Sequence, residues 1–210
     1  MKHNNYTLIG MSNVGKSFWR EKLAAQGFTP LWCDNLIETR LASYLQSQGY
    51  RGIQDVARWM GQPYEECYKV RATLYLEKEA EVMRETIDIL QHGARNNFVI
   101  DTTGSVIYVG ENILQALREL STIVLLDAPE SLQQKLYQAY LAEPKPVIWG
   151  EVFAPLPGEP RKNTLARCYP LLLRNRNAVY KRYADISLDY DELRAPTFTT
   201  EDFLNKVRRA

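Results

Sequence analysis

Eight residues near the amino end, Gly10-Met11-Ser12-Asn13-Val14-Gly15-Lys16-Ser17, constrain the fold more than any other part of the chain. They fit the pattern G-x-x-x-x-G-K-[S/T], with a β-rich run before them, residues 6–9, and a segment of helical composition after them, closed by Gly27. Glycines let the backbone curl closely around an anion. Successive main-chain amides and the helix N-terminus then point positive potential at it, and Lys16 adds a mobile cation. The Ser17 hydroxyl is suited to Mg²⁺. The pattern predicts a strand–loop–helix unit that cradles the phosphates of ATP with Mg²⁺, with Gly10 to Ser17 and the adjoining Phe18 as nucleotide-binding residues. Asp34 lies about twenty residues on, as in a dinucleotide-binding fold, but the G-x-G-x-x-G spacing such a fold requires is absent.

The rest of the chain has the alternation expected around such a unit. Further β-rich runs at 29–33, 98–100, 122–126 and 185–188 are separated by helical stretches, which predicts a parallel sheet covered by helices on both faces. Leu36, Ile37, Leu41 and Leu45 fall at helical spacing. A shorter helix at 53–60 is ended by Gly61 and Pro63, and residues 64–92 hold neither Gly nor Pro, so they read as one long helix stopped by Gly93. Helices are expected at 111–120, 129–140 and 164–183, and Thr199 with Asp202 forms a cap for a last one. Residues 143–162 carry Pro144, Pro146, Pro155, Pro157 and Pro160 and read as a long loop.

With 210 residues and 45% hydrophobic content, a single domain is expected. Lys plus Arg (26) nearly balances Asp plus Glu (25), so no overall field favours nucleic acid or an anionic membrane. The three cysteines, Cys33, Cys67 and Cys168, lack metal-ligand spacing and read as reduced. No apolar run approaches the ~20 residues of a membrane span. A cytoplasmic protein, monomeric or a small homo-oligomer, is expected. His3 and His92 have no visible metal or nucleophile partners.

Beyond the loop, three stretches resemble, in order and along most of the chain, the shikimate kinase family of P-loop kinases. They are Asp34-Asn35-Leu36-Ile37-Glu38, then Gly52-Ile53-Gln54-Asp55-Val56 with Gly61, then Arg176-Asn177-Ala178-Val179-Tyr180 with Ala184-Asp185. The resemblance implies a three-layer α/β/α domain with a five-stranded parallel sheet in the order 2-3-1-4-5, a helical substrate-binding insert (34–92) and a lid over ATP (143–163). It also implies transfer of the γ-phosphate to a hydroxyl of a small molecule, shikimate or a similar polyol or hydroxy acid first, with a sugar acid, nucleoside or nucleotide as alternatives. The departures are specific. Trp32 stands where the family has the first of two aspartates, and Thr103-Gly104-Ser105 stands where it has three glycines. Its Phe-Arg pair falls on Glu65-Glu66, which leaves Lys69 or Arg71 as shifted substrate ligands. Trp32 and the altered glycine run support a non-catalytic nucleotide-binding relative as the alternative.

Asp34, just past the second strand, is a candidate to accept or orient the acceptor's proton; otherwise it caps the helix near Leu36. Asp101 ends a hydrophobic run and is a candidate Mg²⁺ ligand, or else an organiser of the turn with Thr102. Thr103, Gly104 and Ser105 offer amides and hydroxyls to the acceptor. Arg176 matches the family's substrate-gripping arginine, with a surface ion pair as the ordinary alternative. Lys145, with Arg161 and Lys162 at the loop's far end, are candidate cations for the transferring phosphoryl group. Trp149 either covers a ligand or anchors the loop.

Overall fold

The computed structural model describes residues 4–93 and 97–209; His3 lies outside the described residues. Five strands, β1 (Tyr6–Ile9), β2 (Thr29–Trp32), β3 (Phe98–Asp101), β4 (Thr122–Asp127) and β5 (Ile186–Asp189), form one parallel sheet in the order β2-β3-β1-β4-β5. The expected topology is thus present. Every residue of β1 and β3 is buried, the continuous pattern of a strand covered on both faces. β2 is an edge strand and is less buried, and it tolerates Pro30, whose missing N–H would break an inner ladder.

Nine α-helices are described: α1 (Lys16–Ala24), α2 (Cys33–Gln46), α3 (Ile53–Met60), α4 (Tyr68–His92), α5 (Glu111–Leu120), α6 (Gln133–Ala142), α7 (Arg161–Tyr183), α8 (Tyr190–Leu193) and α9 (Thr200–Val207). α4 carries Ala72, Tyr75, Glu79, Val82, Met83, Thr86 and Leu90 as one buried stripe at helical spacing. The Thr199–Asp202 capping box opens α9 as expected. Two boundaries move in ways that matter for chemistry. β2 stops at Trp32 and α2 begins at Cys33, so Asp34 lies inside the first helical turn and Trp32 is the N-cap residue. Asp34 is therefore not the cap. α7 begins at Arg161, so Arg161 and Lys162 stand in its first turn and not in the loop; the Arg161 guanidinium lies 4.8 Å from the Tyr64 ring centroid.

The proline-rich segment between α6 and α7 is irregular apart from a single 3₁₀ turn at Gly150–Val152, as its composition requires. Its first part is pinned. Val147, Ile148 and Trp149 are buried, and the Tyr68 hydroxyl donates to the Val147 carbonyl (2.9 Å) while accepting from the Trp149 amide (2.8 Å). The Trp149 ring sits 6.0 Å from Tyr140 and 5.8 Å from both Phe153 and Tyr169. Trp149 anchors the segment; with 1% of its surface exposed it covers no open site. Residues 154–158 are exposed. No helix among the described residues is long and apolar enough to cross a membrane.

Replacing Trp149 with Ala removes the centre of this aromatic group. The expected cost is about 3–5 kcal/mol of stability, read as a lower denaturant midpoint. An unchanged midpoint would show that the segment contributes nothing to the core.

Candidate active site

The loop of residues 10–15 leaves the end of β1 and enters α1 through three left-handed positions, Gly10 (φ 140), Asn13 (φ 67) and Gly15 (φ 109). At Gly10 any side chain is excluded, because a Cβ there would stand 2.8 Å from the Leu126 carbonyl oxygen of β4. Asn tolerates the left-handed region better than most residues, which suits it to the loop's midpoint. The Lys16 ammonium is buried and folds back on the loop, donating to the carbonyls of Gly10 (3.0 Å) and Met11 (2.9 Å). Burial pushes its pKa down, opposed by the nearby carboxylates of Asp101 and Asp34.

These groups line a cleft of about 260 Å³. Ser12, Asn13, Lys16, Ser17 and Phe18 form one wall, and Asp34, Asp101, Thr103, Gly104 and Lys145 line the remainder. A second cleft, of about 630 Å³, shares Gly15 and Phe18 with the first and continues past Trp19 and Lys22 to Arg194, Pro196 and Phe198. There Arg194 donates to the Val14 carbonyl (3.1 Å) and stacks on Tyr190 at 3.8 Å, so the end of α8 is tied to the loop after β1.

The Asp34 carboxyl has its pKa raised, first by burial and then by Asp101, against the lowering influence of Lys16, Lys145 and Arg20. A carboxylate so placed holds a proton more readily than one in water. Asp101 is committed differently from expectation. Its Oδ2 accepts from Arg20 Nη1 at 2.9 Å, with both side chains buried, and the Arg20 guanidinium lies 4.2 Å under the exposed Trp32 ring. Register explains the trio: Trp32 and Asp101 are directly paired on β2 and β3, and Arg20 stands one turn beyond Lys16 on α1. Sequence reasoning missed Arg20, although the i, i+4 spacing from Lys16 was a usable signal. Ser17, Asp101 and Asp34 offer hard oxygens to a Mg²⁺ ion. Among the described residues no group of three or more His, Cys, Asp or Glu could hold a metal, so a cation here would complete its shell with phosphate and water oxygens.

Thr103 lines the cleft and Ser105 does not, and both are engaged from behind. Their hydroxyls are buried and donate to Glu79 of α4, Thr103 to Oε1 and Ser105 to Oε2 (2.7 Å). Glu79 is fully buried, and burial pushes its carboxyl up to about 7, against the hydrogen bonds from Thr103 and Ser105. It too was missed. The available signal was a carboxylate sitting in the apolar stripe of α4.

Arg176 is buried and makes no ion pair among the described residues, so it is no surface salt bridge. Its Nη2 donates to the Ile148 carbonyl (2.8 Å), its guanidinium lies 5.5 Å from the Tyr108 ring, and its Nε has no partner. With Lys145 and the loop residues Ser12 and Asn13 it lines a narrow crevice beside the main cleft. Lys69 and Arg71 are not brought to the cleft. Lys69 is exposed on a separate groove with Phe153, while Arg71 donates to the Trp59 carbonyl and stacks on the Trp59 ring at 5.6 Å. Cys33 is buried, 3.8 Å from the Met83 sulfur, and burial raises its thiol pKa well above the usual value, which makes it unreactive.

No protein-family model and no curated protein sequence matches the chain. Solved structures do. A shikimate kinase from Bacteroides thetaiotaomicron superposes with a TM-score of 0.61 at 15% identity, over 98% of this chain and 96% of that one. A shikimate kinase from Acinetobacter baumannii in complex with shikimate gives 0.59 at 19% identity, over 99% and 92%. A dephospho-CoA kinase from Campylobacter jejuni gives 0.54 at 13% identity, over 100% and 95%. The chain has the fold of the P-loop small-molecule kinases over its whole length.

Arg20→Ala strands a buried carboxylate at the end of β3. A loss of about 3–5 kcal/mol is expected, largely recovered when Asp101→Asn is added, as a double-mutant cycle by denaturant unfolding would register. Additive losses would mean that the pair is not coupled.

Proposed function

We propose that this chain is an ATP-dependent kinase that transfers the terminal phosphoryl group to a hydroxyl of a small molecule. The observation that carries the reading is one cleft holding both a left-handed glycine loop with a folded-back lysine and, on the other side, a carboxyl of raised pKa. A loop of this shape suits polyphosphate, and a carboxyl of that kind suits proton acceptance.

On this reading the main-chain amides of residues 10–17 hold the phosphates, and Lys16 exchanges the Gly10 and Met11 carbonyls for phosphate oxygens. Base and ribose enter the adjoining cleft past Phe18 toward Arg194 and Pro196. Ser17 and Asp101, with Asp34 beside them, would hold Mg²⁺, which supplies charge neutralisation for the transferring group when bound. Asp34 orients the acceptor hydroxyl and takes its proton. Lys145 and Arg176 add positive charge where the phosphoryl group passes. Catalysis is then mostly positioning and electrostatics.

Shikimate or a similarly small polyol or hydroxy acid is the acceptor proposed first. Support comes from the resemblance along the chain, from two shikimate kinases with the same fold, and from a buried guanidinium at Arg176 that suits a carboxylate. A sugar acid, nucleoside or nucleotide is the second choice. The fold shared with a dephospho-CoA kinase supports a nucleoside or nucleotide, and Lys69 and Arg71 lying off the cleft leaves fewer cations for an anionic acceptor, which favours the uncharged nucleoside among the three.

Coupled measurement of ADP release against a panel of such acceptors is the test. Turnover with at least one is expected, and Lys16→Ala should lower it at least about 100-fold without changing the circular dichroism spectrum. Binding of ATP with no acceptor turned over would instead mark a non-catalytic relative. Calorimetry showing no affinity for ATP or GTP by the folded protein would remove the reading altogether.

A further inference from the structure

The buried carboxyl of Glu79 stands outside the cleft and outside the mechanism just described. It nevertheless touches the loop that forms one side of the cleft. Thr103 Oγ1 donates to Glu79 Oε1 and accepts from the Ser105 amide (3.0 Å), Ser105 Oγ donates to Glu79 Oε2 (2.7 Å), and the two hydroxyl oxygens are 3.0 Å apart. Between these two residues Gly104 is wedged against the phosphate loop. A methyl group on it would stand 3.1 Å from Ser12 Oγ and 3.3 Å from Arg176 Nη1, and its carbonyl accepts from the Tyr180 hydroxyl. A single loop is therefore gripped by Glu79 from behind while its front presses on Ser12 and Arg176.

We infer that Glu79 is a positioning residue whose two hydroxyl contacts set the placement of the 103–105 loop against the phosphate loop, and that its charge is felt at Ser12 and Gly104. The catalytic half of this inference rests on the kinase reading; the coupling between the two loops does not.

Hydrogen-bond chemistry makes the arrangement switchable without being dismantled. As a carboxylate, Glu79 accepts from both hydroxyls. As the acid it donates to Thr103, which turns its own proton to Ser105, which still donates to the other carboxyl oxygen. Both forms are fully bonded, but the ring reverses direction at Thr103, and one negative charge appears or disappears behind the cleft. The groups that face this charge are Asp34 and Cys33 from α2, Arg176 and Tyr180 from α7, and Tyr75 from α4 itself. Asp34 opposes ionisation and Arg176 favours it, with burial the dominant influence, so the carboxyl changes charge near 7. Its native value exceeds the ordinary 4.5, so the native state binds the proton more tightly than the unfolded chain does. The stability it confers is complete below about 4.5 and is lost as pH rises through about 7.

Glu79→Gln fixes the hydrogen-bonding pattern of the acid at every pH, since an amide can donate to Thr103 and accept from Ser105. In the wild-type protein the amide signals of Ser12 and Gly104 in ¹⁵N NMR should move with a midpoint near 7, and kcat for any acceptor turned over should change with the same midpoint at nearly constant KM for ATP. In Glu79→Gln both dependences should flatten, and the fall of melting temperature across that pH range should shrink. Glu79→Asp should restore a midpoint, and Thr103→Val, which removes one donor, should move it upward. Signals at Ser12 and Gly104 that ignore pH, or that titrate alike in wild type and Glu79→Gln, would overturn the inference whether or not the protein turns over any acceptor. Loss of turnover with the NMR midpoint intact would count against the kinase reading and leave the coupling standing.

Discussion

Leu8 of β1 is paired with Asp101 on one side and with Val124 on the other, and this register at the centre of the sheet is the constraint on which the chemistry depends. It fixes where β1 ends and therefore where Gly10 must turn, under the Leu126 carbonyl with no space for a side chain. The same register carries Asp101 to the level of that turn. Because β2 is paired with β3 in step, Trp32 arrives beside Asp101, and α2 starts at once with Asp34 in its first turn. The phosphate loop and the acidic groups beside it are thus neighbours because of strand pairing, before any side chain interacts with another.

Charges in the cleft are held in a balance set by partial burial. Lys16 occupies the loop's own carbonyls, and Asp101 is spoken for on one oxygen by Arg20, which in turn is roofed by Trp32. Trp32 stands where the resemblance puts an aspartate, and here it offers an aromatic face to the Arg20 guanidinium. Arg176 is the counterpart on the other side, a buried guanidinium that has an unmatched Nε and meets the Ile148 carbonyl and the Tyr108 and Tyr180 side chains.

Much of the architecture was legible in the residues, because strand-loop-helix alternation and helix stops are local signals. The loop of residues 10–17, the helix at Ile53–Met60, the helix at Glu111–Leu120 and the Thr199 cap all follow from short-range patterns. What could not be read was pairing across elements. Lys69 and Arg71 are one and three residues into α4 from Tyr68, but the direction each faces depends on how α4 packs on α3 and on the proline-rich segment. Thr103 and Ser105 have hydroxyls suited to a ligand, and only the placement of α4 behind them shows that Glu79 takes both. Boundaries shifted by up to three residues had chemical weight at Asp34 and at Arg161 and Lys162.

The anchoring of Trp149 bears on how the proline-rich segment can move. A span free from α6 to α7 would sample a wide volume and would lose much conformational freedom each time it settled on a ligand. Planted at its middle in a nest of aromatic rings, it becomes two short tethers, one bearing Lys145 and one reaching α7. The first is too brief to sweep. Lys145 is thereby held at the wall of the cleft with little main-chain freedom left to lose.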